Sequence, residues 1–554
     1  ATTAPAAAEP TATTAAAAPA ATTAPAAVAT ATPTQAAAAP AKAKEPVADR
    51  LKVTSLAPGN QVTMYFQTFQ SSGGNLRTIY DHLIWMDRHT GAYAPMLATE
   101  WNVSNGAKDW QFILRDDVTF HNGYKFTADD VKASWNIIQT EPDLADSGHA
   151  IRDRVGADEN IEVVSDTEVI FHLVQPWVQL PYAFGEEWVF TQYSGTHWDE
   201  VGEEGYIADP IGTGPFKLKE MVINEHWLVE RYKNPGDDHW WKIPDFAELQ
   251  LIYAPEEATR MAMLLAEEAY IADIPGELMD EAEEAGMLMQ SSTLPGFQVF
   301  NIMGSQVGPE HEDYDATDPL KNVQVRKALD LAVDKMAIIN AFFPGRAEPQ
   351  AVYNFGSFRP PFKEEWTQHP FDAAEAKAIL AAEGYDDDNP LEIRLLVGNN
   401  MSGVPEAPDV AEAMMQMYQE IGIVANVHET DYGSVASEIR EHTLASTVVI
   451  SRFSPWIVNL SWKGGFDGKG NWVICSDPYL VDLAEEYYEV TTQEEAWEYE
   501  TLYGQYLYDN HVTIPIAWLK PAVAVNPKFV ADYTANHLHF GPVRHHEFTE
   551  AVFK

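Results

Sequence analysis

The sequence predicts an α/β protein with more than one lobe, and three observations carry that reading. At 554 residues the chain exceeds what one hydrophobic core serves, since single cores stop growing near ~250–300 residues. Between Trp110 and Val131 a strand, a turn and a capped helix follow one another directly. Further on, the strand-like run Gly296–Ile302 precedes a helical pattern over 320–335 that places Val325, Leu329 and Val333 on one inner face.

Residues 1–46 are almost wholly Ala, Thr and Pro, with prolines at 5, 10, 19, 25, 33, 40 and 46 that recur too often for a helix. The segment is expected to be a disordered tether, with a coil reach of roughly 40 Å that rises toward about 140 Å in polyproline II. Its threonines also suit an O-glycosylated stalk. Trp110, Phe112 and Leu114 alternate as in a half-buried strand, and Val118 and Phe120 resume the pattern after Asp116-Asp117. Asn122-Gly123 supplies a turn. Thr127 then reads as an N-cap with Asp130 three positions on, so a helix begins at Ala128 and carries Val131, Trp135 and Ile138 on one face. In that setting His121 and Asp129-Asp130 read as hydrogen-bonding groups of a turn and helix start, not as a catalytic cluster.

Residues 161–173 read as two short strands around Ser165-Asp166. Gly212 and Gly214 belong to a structural turn: Pro215 follows, no third glycine stands at phosphate-loop spacing, and no Lys-Ser/Thr closes the run. The glycines of 464–470 likewise lack Walker spacing and the hydroxyl that follows it, so they do not read as a nucleotide-binding loop. Helices are predicted over 372–385 and over 410–423, the latter leading into a strand, with Met414, Met415 and Met417 as core filling. Residues 513–518 form a final predicted strand.

Lys plus Arg number 35 against 83 Asp plus Glu, a net charge of −48 that disfavours nucleic acid and anionic membrane surfaces as partners. Self-repulsion among these carboxylates predicts stability that rises with salt. Cys475 is the only cysteine, so no intrachain disulfide and no thiolate cluster can form, and it reads as a small buried side chain. No run of about 18 apolar residues is present to span a bilayer, and the chain reads as a mature product.

The ordered residues Trp110, Phe112, Leu114, Arg115, Val118, Phe120, His121, Gly123, Phe126, Thr127, Ala128, Asp129, Asp130 and Val131 closely resemble the signature of the extracellular solute-binding proteins of family 5. This is the periplasmic dipeptide-, oligopeptide- and nickel-binding group that feeds ABC importers. Further matches follow in order: a helix and hairpin at 78–87 and 93–101, the Pro210–Leu218 run, the Leu320–Lys335 run, and the segments already named up to 518. The resemblance implies a two-lobed periplasmic-binding-protein-like fold with an extra inserted subdomain and a ligand cleft between the lobes. Its expected parts are a linker at 1–46, lobe I at 47–84, the inserted subdomain at 85–208, lobe I continued at 209–303, lobe II at 304–518 and a return to lobe I at 519–554. It also implies an extracellular or periplasmic receptor, tethered to the outer face of the cytoplasmic membrane by an N-terminal lipid anchor that this chain does not include.

No His-Glu-x-x-His, Gly-x-Ser-x-Gly or calcium loop occurs, so neither catalytic residues nor a metal or other cofactor are predicted. His537, His539, His545 and His546 read as surface histidines. In peptide-binding relatives the stretch equivalent to 449–462 carries an aspartate that pairs with the peptide's amino terminus, whereas no acidic residue lies there in this chain. The loop from 452 offers Arg452 for a ligand carboxylate or phosphate, Trp456 and Trp462 for ring or aliphatic faces, and Asn459 for hydrogen bonds. Phe69, Gln70 and Trp188 are candidates from the first lobe. Sixteen tryptophans leave an oligosaccharide in competition with a peptide-like solute, besides metal chelates and other small molecules. The expected partners are that solute and the permease subunits of an importer, with the receptor a monomer. A surface-layer or structural protein reusing the fold, and a secreted hydrolase, are the alternatives.

Overall fold

The computed structural model describes residues 49–55, 73–87, 90–140, 152–185, 190–234, 237–304, 315–358, 360–399, 404, 406–453, 475, 477–520, 522–533 and 552–553. The expected 1–46 linker, the glycines of 464–470 and the histidines at 537–546 lie outside these residues. Residues 45–554 form one compact unit.

Two large sheets organise that unit. In the first, seven strands lie in the spatial order Leu288–Ser291, Ala522–Val525, Ile271–Ala272, Arg50–Ser55, Glu248–Tyr253, His226–Arg231 and Phe216–Val222. The second holds six, in the order Ala347–Pro349, Thr513–Leu519, Phe297–Met303, Thr447–Phe453, Glu392–Asn399 and Val424–Asp431. The chain passes from the first sheet to the second through 292–296 and returns between the strands that end at Leu519 and begin at Ala522. Both passages run side by side, because the strands they join are hydrogen-bonded neighbours in each sheet. Gly296 N–H donates to Leu519 O at 2.8 Å and ties the two passages together.

A four-stranded antiparallel sheet, Ala98–Ser104, Asp109–Leu114, Glu168–His172 and Ile161–Ser165, shares the hydrophobic core of the first large sheet. Its strand at 109–114 buries Trp110, Phe112 and Leu114 as the alternation requires. Helix Ala128–Thr140 starts where the capping residues place it and buries Val131, Trp135 and Ile138 against this core. Met414 is fully buried, Met415 and Met417 pack against the second sheet's core, and Cys475 is buried, its thiol pushed up to about 11 by burial.

Two expected elements are corrected. Residues 78–87 are not a helix. The helical turn spans Gly73–Leu76, and Ile84–Met86 is a strand because it finds Tyr93–Pro95 across a turn closed by Gly91 at φ +69°. The single helix read over 320–335 is interrupted: Val323–Leu331 ends, and a new helix starts at Lys335, because the Asp334 carboxylate caps it by accepting from Ala337 N–H. Leu329, before the break, and Val333, within it, are both buried.

Candidate functional site

Open α/β sheets bind ligands beyond the carboxyl ends of their parallel strands, where no strand continues and backbone groups are free to meet a solute. In the second sheet Glu392–Asn399 runs parallel to both Val424–Asp431 and Thr447–Phe453. Thr447–Phe453 then pairs antiparallel with the strand that enters this sheet, matching Phe453 to Gln298 and Arg452 to Val299. Its carboxyl end therefore lies at the passage between the sheets. In the first sheet Arg50–Ser55 is parallel to Glu248–Tyr253 and to Ile271–Ala272. The chain leaving Ile271–Ala272 reaches the second lobe at once, because Gly276 N–H donates to the Glu406 carboxylate at 3.1 Å and the Arg346 guanidinium binds the same oxygen. The carboxyl ends of both sheets thus point toward the region where the lobes meet.

Arg452 is the one predicted site residue among the described residues, and its setting differs from the prediction. It belongs to strand Thr447–Phe453, not to a loop, and is 4 % exposed. Strand alternation places it on the face of Val448 and Ile450, which join the core beneath helix Ala407–Glu420. Trp456, Asn459 and Trp462, with Phe69, Gln70 and Trp188 of the first lobe, lie outside the described residues.

The same edge holds groups that sequence reading missed. Gln298, 0 % exposed, accepts through Oε1 from Gln350 Nε2 at 2.5 Å and from Asn354 N–H at 3.0 Å, while its own amide donates to Asn354 Oδ1. This buried amide network fastens the 350–354 segment to the first turn of the entering strand. In the first lobe, burial pushes the Asp273 carboxyl up to about 6, against the pull of Arg260 and Arg346 and with help from Glu406 and Glu257. Burial also raises Glu257. Arg260 is held by the carbonyls of Ala254, Pro255 and Asp273. Such charged groups and amides can orient a polar solute. They do not form a nucleophile with an adjacent base.

Two other histidine centres are structural. His121 Nε2–H donates to Gly214 O at 2.9 Å while Nδ1 accepts from Gly212 N–H at 3.2 Å. Gly212 and Gly214 are glycines because a Cβ would stand 2.1 and 2.8 Å from the carbonyl oxygen of Ile79, which confirms a structural turn there. The Asp130 carboxylate accepts from Thr127 N–H and from Gly195 N–H, joining the helix start to the next segment.

In the second lobe, Asp330 Oδ2 accepts from His369 Nδ1 at 2.5 Å and His511 Nδ1 at 2.7 Å, and Oδ1 lies 2.7 Å from Lys335 Nζ. These three side chains have the residue types of a metal site. The separations are those of hydrogen bonds, however, whereas ligands held at ~2.0–2.2 Å around one ion stand about 3 Å apart. The lysine also occupies the carboxylate. Burial alone would raise Asp330, yet the Lys335 ammonium and the two histidine bonds hold it well below the usual carboxylate range.

Residues 92–457 match the model for bacterial extracellular solute-binding proteins, family 5 Middle. The di/tripeptide-binding protein 2 of Pseudomonas aeruginosa (strain UCBPP-PA14) is 26 % identical over 398 residues, covering 68 % of this chain and 71 % of its own. Among solved structures, the ABC transporter substrate-binding protein CtaP of Listeria monocytogenes superposes with a TM-score of 0.76 at 18 % identity, over 91 % of this chain and 99 % of that one. NikA from Brucella suis, in complex with Fe(III)-EDTA, gives a TM-score of 0.76 at 19 % identity, over 91 % and 100 %. The fold is the two-lobed one of the periplasmic binding proteins. With its twice-crossed pair of sheets and a family match over most of its length, the chain belongs to the bacterial extracellular solute-binding proteins of family 5.

Proposed function

We propose that this protein is an extracytoplasmic receptor that captures a small peptide-like or oligosaccharide-like solute by closing its two lobes and delivers it to the permease of an ABC importer. One observation carries the reading: the only two passages between the large sheets, among the described residues, lie side by side at the edge toward which both sets of carboxyl ends point. Two adjacent strand connections form a hinge, and opposed carboxyl ends form a ligand crevice. The proposed lobes follow the boundaries expected from sequence, with 85–208 inserted in lobe I, except that strand Phe297–Met303, expected in lobe I, pairs within the second sheet and so belongs to lobe II. The receptor works as a monomer, held at the outer face of the cytoplasmic membrane by an N-terminal lipid anchor and spaced from it by residues 1–46. Its chemistry is binding, not catalysis.

Arg452, Trp456, Asn459 and Trp462 would grip the solute from the second lobe, with Phe69, Gln70 and Trp188 facing them from the first. The relatives support an anionic group on the solute, since di- and tripeptides and Fe(III)-EDTA both carry carboxylates. Arg452 lies near the carboxyl end of its strand, beside the passage between the sheets, and would answer one by turning its guanidinium out from the core face. Calorimetric titration against peptide and oligosaccharide panels tests this. The cognate solute should lose at least about tenfold in affinity in Arg452→Ala, the loss of one charge-assisted contact. Full affinity in folded Arg452→Ala and Trp456→Ala would remove this stretch from the site. Assembly of the solute-free protein at micromolar concentration would favour a structural surface role instead.

A further inference from the structure

The lobes also meet at residues remote in sequence from the two passages. Arg154 and Trp177 flank the four-stranded sheet, whose core is continuous with that of the first lobe. Helices Pro478–Tyr487 and Gln493–Asp509 belong to the second lobe, where Leu480, Leu483 and Tyr503 share a core with Phe300 and Val449 of the six-stranded sheet. Between these bodies the Arg154 guanidinium lies 5.0 Å from the ring centre of Trp177 and 4.5 Å from that of Tyr488. Gln179 Nε2 donates to Glu500 Oε1 at 2.5 Å, and Tyr487 OH donates to the same oxygen at 2.9 Å. A Cβ on Gly106 would stand 3.2 Å from Thr491 Cγ2.

The polarity of this seam is unusual for a permanent interface. Arg154 is 5 % exposed and makes no ion pair among the described residues; its guanidinium donates to the Pro176 carbonyl at 3.4 Å and to the Tyr488 side chain. A guanidinium buried without an ion pair loses more hydration than two ring faces, one phenol and the more distant Asp153 charge return, whereas the same group in an open seam keeps its water. Glu500, 1 % exposed, gains its bond from Gln179 only when the bodies touch. A hydrogen bond that favours contact is thus set against a desolvated charge that opposes it, the balance expected of a surface that both forms and parts.

We infer that this seam is a reversible closing surface, made when the lobes close over a solute and broken when they open, with the Gln179–Glu500 bond as its catch and Arg154 as the group that keeps it releasable. The inference rests on the lobe-closure reading and adds which surfaces meet. It is tested on the full chain by distance measurement between labels at Val103→Cys and Val424→Cys, positions exposed in the four-stranded and six-stranded sheets. Buried Cys475 leaves labelling to the introduced pair. Two variants move the seam in opposite directions. Thr491→Trp, at an exposed position, wedges it and should lengthen the solute-free distance. Arg154→Met keeps the length and removes the charge, and should raise the closed-to-open ratio at least about threefold. Superposable distance distributions for both variants and the parent, with unchanged circular dichroism, would overturn the seam. If a di- and tripeptide mixture shortens the parent distance while both variants still superpose on it, closure stands and the seam alone falls. If no peptide or oligosaccharide moves the parent while the variants shift as stated, the seam is upheld as a mobile surface and closure around those solutes is what fails.

Discussion

Each lobe buries a histidine centre that resembles chemistry in sequence, and the two are held by opposite means. In the first lobe His121 is neutral and bonds only to backbone, bridging the turn after strand Asp109–Leu114 to Gly212 and Gly214. Burial pushes its pKa down to about 4, against the Gly214 bond and Asp81, and a proton on Nδ1 would also displace the bond accepted from Gly212 N–H. In the second lobe Asp330 is ionised and draws Lys335, His369 and His511 around one carboxylate. A buried imidazole is an inexpensive way to satisfy backbone groups so long as it stays uncharged. A buried carboxylate is tolerable only while it is fully surrounded.

The largest effect expected from breaking this comparison is at Asp330. Asp330→Ala strands the Lys335 ammonium, 3 % exposed, and should cost about 3–5 kcal/mol in urea unfolding. The double variant Asp330→Leu with Lys335→Met should recover much of that loss, and failure to recover any would show that the charge pair is not the cause. Next comes Gly212→Ala, whose Cβ would meet backbone 2.1 Å away and should cost about 3 kcal/mol. Gly123→Ala in the neighbouring turn meets nothing within 4 Å and carries only the strain of φ +89°, about 1 kcal/mol.

Acid should separate the two centres. The folded His121 pKa lies below its unfolded value of 6.5, so its contribution is fully present above pH 6.5 and is lost as pH falls toward about 4. His121 as a whole is half-buried, and screening by nearby solvent limits the loss to about 2–3 kcal/mol. Asp330 is also depressed, but from an ordinary value of 3.8, so its contribution persists until pH falls below that range. Hydrogen exchange at pH 5 should therefore show lost protection at 118–123 and 212–216 with 323–342 unchanged. Equal loss in both lobes would sink the distinction. The smallest effect is that of salt: molar NaCl should raise the melting temperature by screening the net −48 of the surface while leaving both buried centres unmoved. A flat or falling melting temperature would contradict it.

Strand Asp109–Leu114, helix Ala128–Thr140, the strands at 161–165 and 168–172, and the structural character of His121 and Gly212 were legible because their causes are local. Alternation, a cap and a turn act within a few residues, and the family resemblance added which fold they serve. Tertiary structure alone decided the rest. Ile84–Met86 became a strand by finding Tyr93–Pro95, and Arg452 became a buried strand residue by pairing beside Val299. Asp330 meets histidines 39 and 181 positions away, and Gln179 meets Glu500 across 321. No periodicity or spacing encodes such encounters, because the free energy of a buried charge or of a lobe contact depends on what the folded chain brings to it, and that is set by the order of strands in two sheets and the two passages between them.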